Sequence, residues 1–150
     1  MKFEILDHPA ELRLRIYGKT IEELFTNAAE ALATIQKKNI ALTVRSHDKC
    51  YRNLKREKIE VRSIDVNALL VDFLSEILAK SQINKCVYKV SNLTLHDSCL
   101  EAELVVYPID SFDEDIKAVT YQDVDIQLKS TTNSQQSTVK VWQTNLVFDI

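Results

Sequence analysis

ELRLRIYGKTIEELFTNAAEALATI, Glu11 to Ile35, changes its period in mid-run. Leu12, Leu14 and Ile16 alternate with Arg13, Arg15 and Tyr17, the two-residue period of a strand with one face buried. After Gly18 the apolar positions are Ile21, Leu24, Phe25, Ala28, Ala29, Leu32 and Ile35, the three-and-four spacing of a helix with one buried stripe. Thr20 followed by Glu23 is a capping-box pattern and places the helix start. A strand therefore feeds an amphipathic helix through a glycine turn, and the rest of the chain can be read outward from that unit.

A second helix opens at Asp65, a good N-cap, and carries Val66, Leu69, Leu70, Phe73, Leu74, Ile77 and Leu78 on one face. The remainder alternates with period two: Phe3 and Ile5; Ile59 and Val61; Leu93 and Leu95; Leu100, Leu104 and Val106; Val124, Ile126 and Leu128; Val139 and Val141, then Leu146 and Phe148. Turns are expected at His96 to Ser98 and within the polar patch Ser130 to Ser137; Asn, Asp and Ser serve in turns because Gly18 is the only glycine. Many short strands and two helices predict an α+β fold: a mixed, largely antiparallel sheet with both amphipathic helices packed on one face.

The 150 residues, 45% hydrophobic and 27% charged, suit a single domain, 1–150. A net charge of -3 argues against coating nucleic acid, which requires many phosphates to be neutralised by Lys and Arg. Cys50, Cys86 and Cys99 lack CxxC spacing and are odd in number, so they read as reduced thiols of a cytoplasmic protein. No segment reaches the roughly 20 apolar residues that span a bilayer, and no membrane role is expected.

Charge is unevenly spread. Arg45 to Arg62 contains seven basic residues against three acidic; Asp110 to Asp125 contains six acidic residues against Lys117 alone. Both read as solvated faces. The serine-hydrolase elbow, the P-loop, the dinucleotide fingerprint, HExxH and the EF-hand loop are all missing. What remains is a set of polar groups at strand ends: Asp7, His8 and Glu11; Lys117 with Thr120 and Tyr121; Asp149 beside the Ile150 carboxylate. Hard oxygen donors of this kind suit calcium, magnesium or manganese. Tyr121 is expected to bury its ring with the hydroxyl at an edge, and Trp142 to fill core or edge space.

The run FEILDHPAELRLRIYGKTIEELFTNAAEAL resembles the opening of the archeases, in which a DHTAD-type box precedes a strand, a glycine turn and a T-x-E-E-x-F helix. DVNALLVDFLSEIL (Asp65 to Leu78), DIKAVTY (Asp115 to Tyr121) and LVFDI (Leu146 to Ile150) continue the resemblance in the family's order across essentially the whole chain. The resemblance implies an accessory role rather than catalysis. Archeases assist the RtcB-type tRNA-splicing ligase, which uses GTP and manganese, by promoting guanylylation of the ligase and repeated turnover. The ligase would be the partner, and contact with tRNA or GTP would run through it. The family's divalent metal, calcium with magnesium or manganese as alternatives, maps by motif position onto Glu11, Asp149 and Ile150. Lys117 matches the lysine of the KAxTY block and is the expected contact to the ligase or a phosphate, with Asp7 and His8 beside it in that role.

Three positions depart from the pattern. Glu11 replaces the usual aspartate, Pro9 replaces a threonine and so removes an N–H and a hydroxyl, and Gln122 stands where many members have histidine. These departures describe a divergent member and favour, as a second reading, a metal-binding interaction module with a different client; a metal-dependent phosphoesterase using the carboxylate cluster and His8 is the third, with no sequence motif behind it.

Overall fold

The computed structural model describes residues 1–6, 11–40, 54–132 and 134–150. The chain runs β1 (Phe3–Leu6), β2 (Glu11–Gly18), α1 (Ile21–Gln36), β3 (Arg56–Arg62), α2 (Val66–Asn84), β4 (Cys86–His96), β5 (Cys99–Pro108), β6 (Ala118–Thr120), β7 (Gln127–Thr132) and β8 (Thr138–Asp149). The α+β class and the two amphipathic helices are as expected. Every strand pair is antiparallel, and the strands divide into two sheets. One has the order β1-β2-β8-β6 with β7 also paired to β8; the other has the order β3-β5-β4.

Both helices start where their caps place them. The Thr20 hydroxyl accepts from the Glu23 N–H at 3.1 Å, and the Asp65 carboxylate accepts from the Ala68 N–H at 2.8 Å. Each bond satisfies one of the donors that a helix start leaves orphaned. Each helix also touches both sheets, α1 against β2 and β4 and α2 against β3, β4 and β6. The core between them is continuous, from Leu14 and Ile16 through Phe25, Leu32, Phe73 and Ile77 to Leu104, Leu146 and Phe148. Phe25 and Phe73, with ring centroids 6.1 Å apart, join the two helices at its centre.

Gly18 has a different role from the turn residue that the sequence suggests. It is the last residue of β2, paired with Trp142, and its φ is not in the left-handed region. A Cβ there would lie 2.4 Å from the Leu24 amide nitrogen and 2.7 Å from Leu24 Cα, so its smallness lets α1 start against the strand it leaves. The left-handed positions fall instead to Asn39, Lys85, Asp97, Asp123 and Gln136. Asn and Asp tolerate that region best among residues with a side chain, and Asp97 turns the β4–β5 hairpin where expected.

Two expectations shift. Val124 and Ile126 precede a strand rather than belong to one; β7 begins at Gln127, and all six of its residues are exposed. In the β7–β8 hairpin, Leu128 is 45% exposed and Val139 39% exposed. Strand β8 is continuous, but its core-facing side begins at Trp142, in phase with Leu146 and Phe148, which accounts for the change of phase between Val141 and Leu146.

Candidate functional site

Strands β2 and β8 pair over their whole shared length, and the register sets Glu11 opposite Asp149. On the other side of β8, Ala118 of β6 is the partner of Asp149, and the Lys117 N–H donates to the Asp149 carbonyl at 2.7 Å. Glu11 and Lys117, far apart in sequence, thus flank Asp149 on its two sides. Leu12, Leu14, Leu146 and Phe148 turn to the core, which leaves Glu11 and Asp149 on the opposite face of the sheet. Ile150 follows directly and packs against the core cluster.

Directly opposed residues on one sheet face have Cβ atoms about 4.5–5.5 Å apart, and like charges there repel. The Asp149 carboxylate has no hydrogen-bond or ion-pair partner among the described residues. The Glu11 Oε1 accepts from Arg13 Nη2 at 3.1 Å and Nε at 3.3 Å. Arg13 Nη1 in turn lies 2.7 Å from Asp123 Oδ2, in the loop after β6. An all-oxygen donor set of two opposed carboxylates and the adjoining main chain of Ile150 fits a hard divalent cation. Among the described residues no group of three or more His, Cys, Asp or Glu side chains is arranged for a metal; Glu11 and Asp149 are a pair. Asp7 and His8 lie outside the described residues.

The Lys117 side chain is exposed and makes no ion pair among the described residues. From it β6 runs beside α2: the Ile116 carbonyl accepts from Gln82 Nε2 at 2.7 Å, and at the far end the Tyr121 hydroxyl donates to Asp72. Tyr121 is 62% exposed, so its ring stands in solvent while its hydroxyl is anchored, the reverse of the expected burial. Asp72 also accepts from Ser63 Oγ at 2.8 Å. The hydrogen bond to Asp72 raises the Tyr121 pKa above the ordinary value, because ionisation would break that bond and set a phenolate against the carboxylate. Thr120 sits in β6 with its hydroxyl donating to the Val147 carbonyl at 3.0 Å. Trp142 is half-buried against the core, in keeping with a filler.

Sequence reasoning missed Arg13, Asp123 and Asp72. Arg13 was visible as one of the basic residues alternating along β2, but a period-two pattern gives the face and not the partner. The described part of the basic stretch is largely paired, whereas in the acidic stretch Asp113 and Asp123 make ion pairs. Arg56 meets Glu103 at 2.8 Å and Arg62 meets Glu60 at 2.9 Å. The Asp113 carboxylate takes the Lys38 N–H at 2.7 Å and Lys37 Nζ at 3.3 Å, contacts that hold its pKa below the usual range. Residues 45–53 of the basic stretch, Cys50 among them, lie outside the described residues. Cys86 and Cys99 are free thiols. No helix among the described residues is long and apolar enough to cross a membrane.

Residues 3–150 match the family model described as the archease protein family (MTH1598/TM1083). The chain is 32% identical to the protein archease of Methanosarcina barkeri, over 99% of this chain and 96% of that one. It is 28% identical to its counterpart from Methanosarcina mazei, with the same coverage. Among solved structures, protein 1598 of Methanobacterium thermoautotrophicum superposes with a TM-score of 0.64 at 21% identity, covering 99% of this chain and 98% of that one. An archease from Thermotoga maritima, described as a possible chaperone, superposes with a TM-score of 0.60 at 16% identity, covering 97% and 94%.

Proposed function

Given that the chain belongs to the archease family, we propose that it is an accessory protein, not itself a catalyst, that activates an RtcB-type RNA ligase in tRNA splicing by promoting guanylylation and repeated turnover. The observation that carries the reading is the convergence of Glu11, Asp149 and Lys117 at one end of the β2–β8–β6 strands. Glu11 and Asp149, with a main-chain oxygen of Ile150, would hold a divalent cation, calcium first and magnesium or manganese next. When bound, the cation neutralises the two opposed carboxylates and presents positive charge to a phosphate or carboxylate of the partner.

The chain's own residues do the rest. Hydrogen bonds along β6 fix the main chain of Lys117, while its ammonium is left in solvent to meet an anionic group on the ligase or its substrate. The Asp72–Tyr121 bond pins the far end of the same segment to α2, so Lys117 is presented on a strand fastened at both ends. A preorganised contact loses less freedom on association than a loose one.

The test is co-purification from the cytoplasm of the source cell, with wild-type protein and Lys117→Ala as paired baits. Recovery of an RtcB-type ligase by the wild type, reduced by the substitution, supports the proposal. Reproducible recovery of another client, with no ligase, replaces it with an interaction module of the same fold.

A further inference from the structure

Glu11 already has a cation beside it. Arg13, two residues along the same strand and on the same face, places Nη2 3.1 Å and Nε 3.3 Å from Glu11 Oε1, while its Nη1 reaches Asp123 Oδ2 at 2.7 Å. One guanidinium is thereby shared between a proposed metal ligand and a carboxylate of the loop that follows Tyr121. From this geometry we infer that Arg13 is a built-in competitor for the divalent cation, and that Asp123 is the resting place to which it retires when the cation takes Glu11. The inference rests on the reading of Glu11 and Asp149 as cation ligands and adds the regulation of that site.

The physical argument has two parts. A divalent cation drawing on Glu11 competes with the two hydrogen bonds to Oε1 wherever it uses that oxygen, and at either oxygen it meets a unit positive charge a few ångströms away, which lowers its affinity by direct repulsion. The half-buried setting makes this felt: the Glu11 side chain is 17% exposed and that of Arg13 33%. Without Asp123, displaced Arg13 would lose its partner; with it, the guanidinium keeps one charge-assisted bond throughout. Arg suits this role and Lys does not, because only the planar fork reaches two carboxylates from one position. Occupancy of the cation site is thereby linked to the segment from Lys117 to Asp123.

Calcium titration by calorimetry at low ionic strength tests this with the intact chain. Arg13→Gln should bind calcium about tenfold more tightly than wild type, and Asp123→Asn, which leaves Arg13 to Glu11 alone, several-fold more weakly. Arg13→Lys, which keeps the charge without the fork, should remain within about threefold of wild type, and the weakening in Asp123→Asn preserves the test should Arg13→Gln fail to fold. The gain in Arg13→Gln should shrink as salt rises, since it is electrostatic. An Arg13→Gln protein with wild-type circular dichroism and unchanged or weaker calcium affinity overturns the inference while leaving the site reading standing, provided Asp149→Ala abolishes binding. No calcium binding by either wild type or Arg13→Gln overturns both.

Discussion

Glu11 and Asp149 face each other across one register position of the β2–β8 pair, with the Arg13 guanidinium on the first and no partner on the second among the described residues. Two carboxylates so placed repel unless a cation lies between them. Asp149→Ala should therefore leave the fold within about 0.5 kcal/mol of wild type, as for an exposed residue away from the core. It should also erase calcium-dependent stabilisation, which at a hundredfold excess over Kd amounts to about 2.7 kcal/mol. Thermal melts with calcium or chelator read both effects. A calcium shift retained in Asp149→Ala would contradict the assignment.

On the proposed function, substitution of Lys117 should separate activation from metal binding. Its main-chain N–H holds β6 to Asp149 at 2.7 Å and is untouched by substitution, whereas its side chain stands exposed. Lys117→Ala should keep the melting temperature and the calcium shift of wild type and lose stimulation of the ligase. Wild-type stimulation by this variant would remove Lys117 from the site.

Gly18 is a stability prediction independent of function. A Cβ at 2.4 Å from the Leu24 backbone cannot be accommodated by a side-chain rotation, so α1 must shift against β2. Gly18→Ala should cost about 1–3 kcal/mol, the usual range for overpacking, in urea unfolding. An unchanged midpoint would mean that the strand–helix junction has slack.

These elements differ in how legible they were. The two helices, their caps at Thr20 and Asp65, and the turns at Asp97 and within the 130–137 patch could be read directly, because local pattern and chemistry agree there. The split into two sheets could not. Period two identifies the strands and their buried faces, but pairing is decided by contacts far apart in sequence, such as β2 with β8. Leu128 and Val139 misled because β propensity persists where a strand is exposed. Glu11, Asp149 and Lys117 were named by their place in sequence blocks, whereas Arg13, Asp123 and Asp72 became visible only once the strands and α2 stood side by side. Their roles lie in partners 110 and 49 residues away.

The Tyr121–Asp72 bond makes a prediction in pH. Its folded pKa is raised above the ordinary 10.0, so the stability it contributes is complete below that value and is lost as pH climbs through the raised one. Spectrophotometric titration of tyrosinate should show one tyrosine, absent in Tyr121→Phe, whose midpoint falls when Asp72 is replaced by Asn. A midpoint indifferent to Asp72→Asn would show that the carboxylate does not hold the hydroxyl in solution.

The central claim is that this chain activates an RNA ligase, and the most direct measurement is guanylylation of the RtcB-type ligase of the same organism. Labelled GTP and manganese would be supplied with and without substoichiometric amounts of this protein. The account predicts many guanylylation events for each molecule added, none by the protein alone, and none with Asp149→Ala. No stimulation, from a ligase that does respond to an archease carrying the usual aspartate at the Glu11 position, would contradict it and assign this fold to a different client.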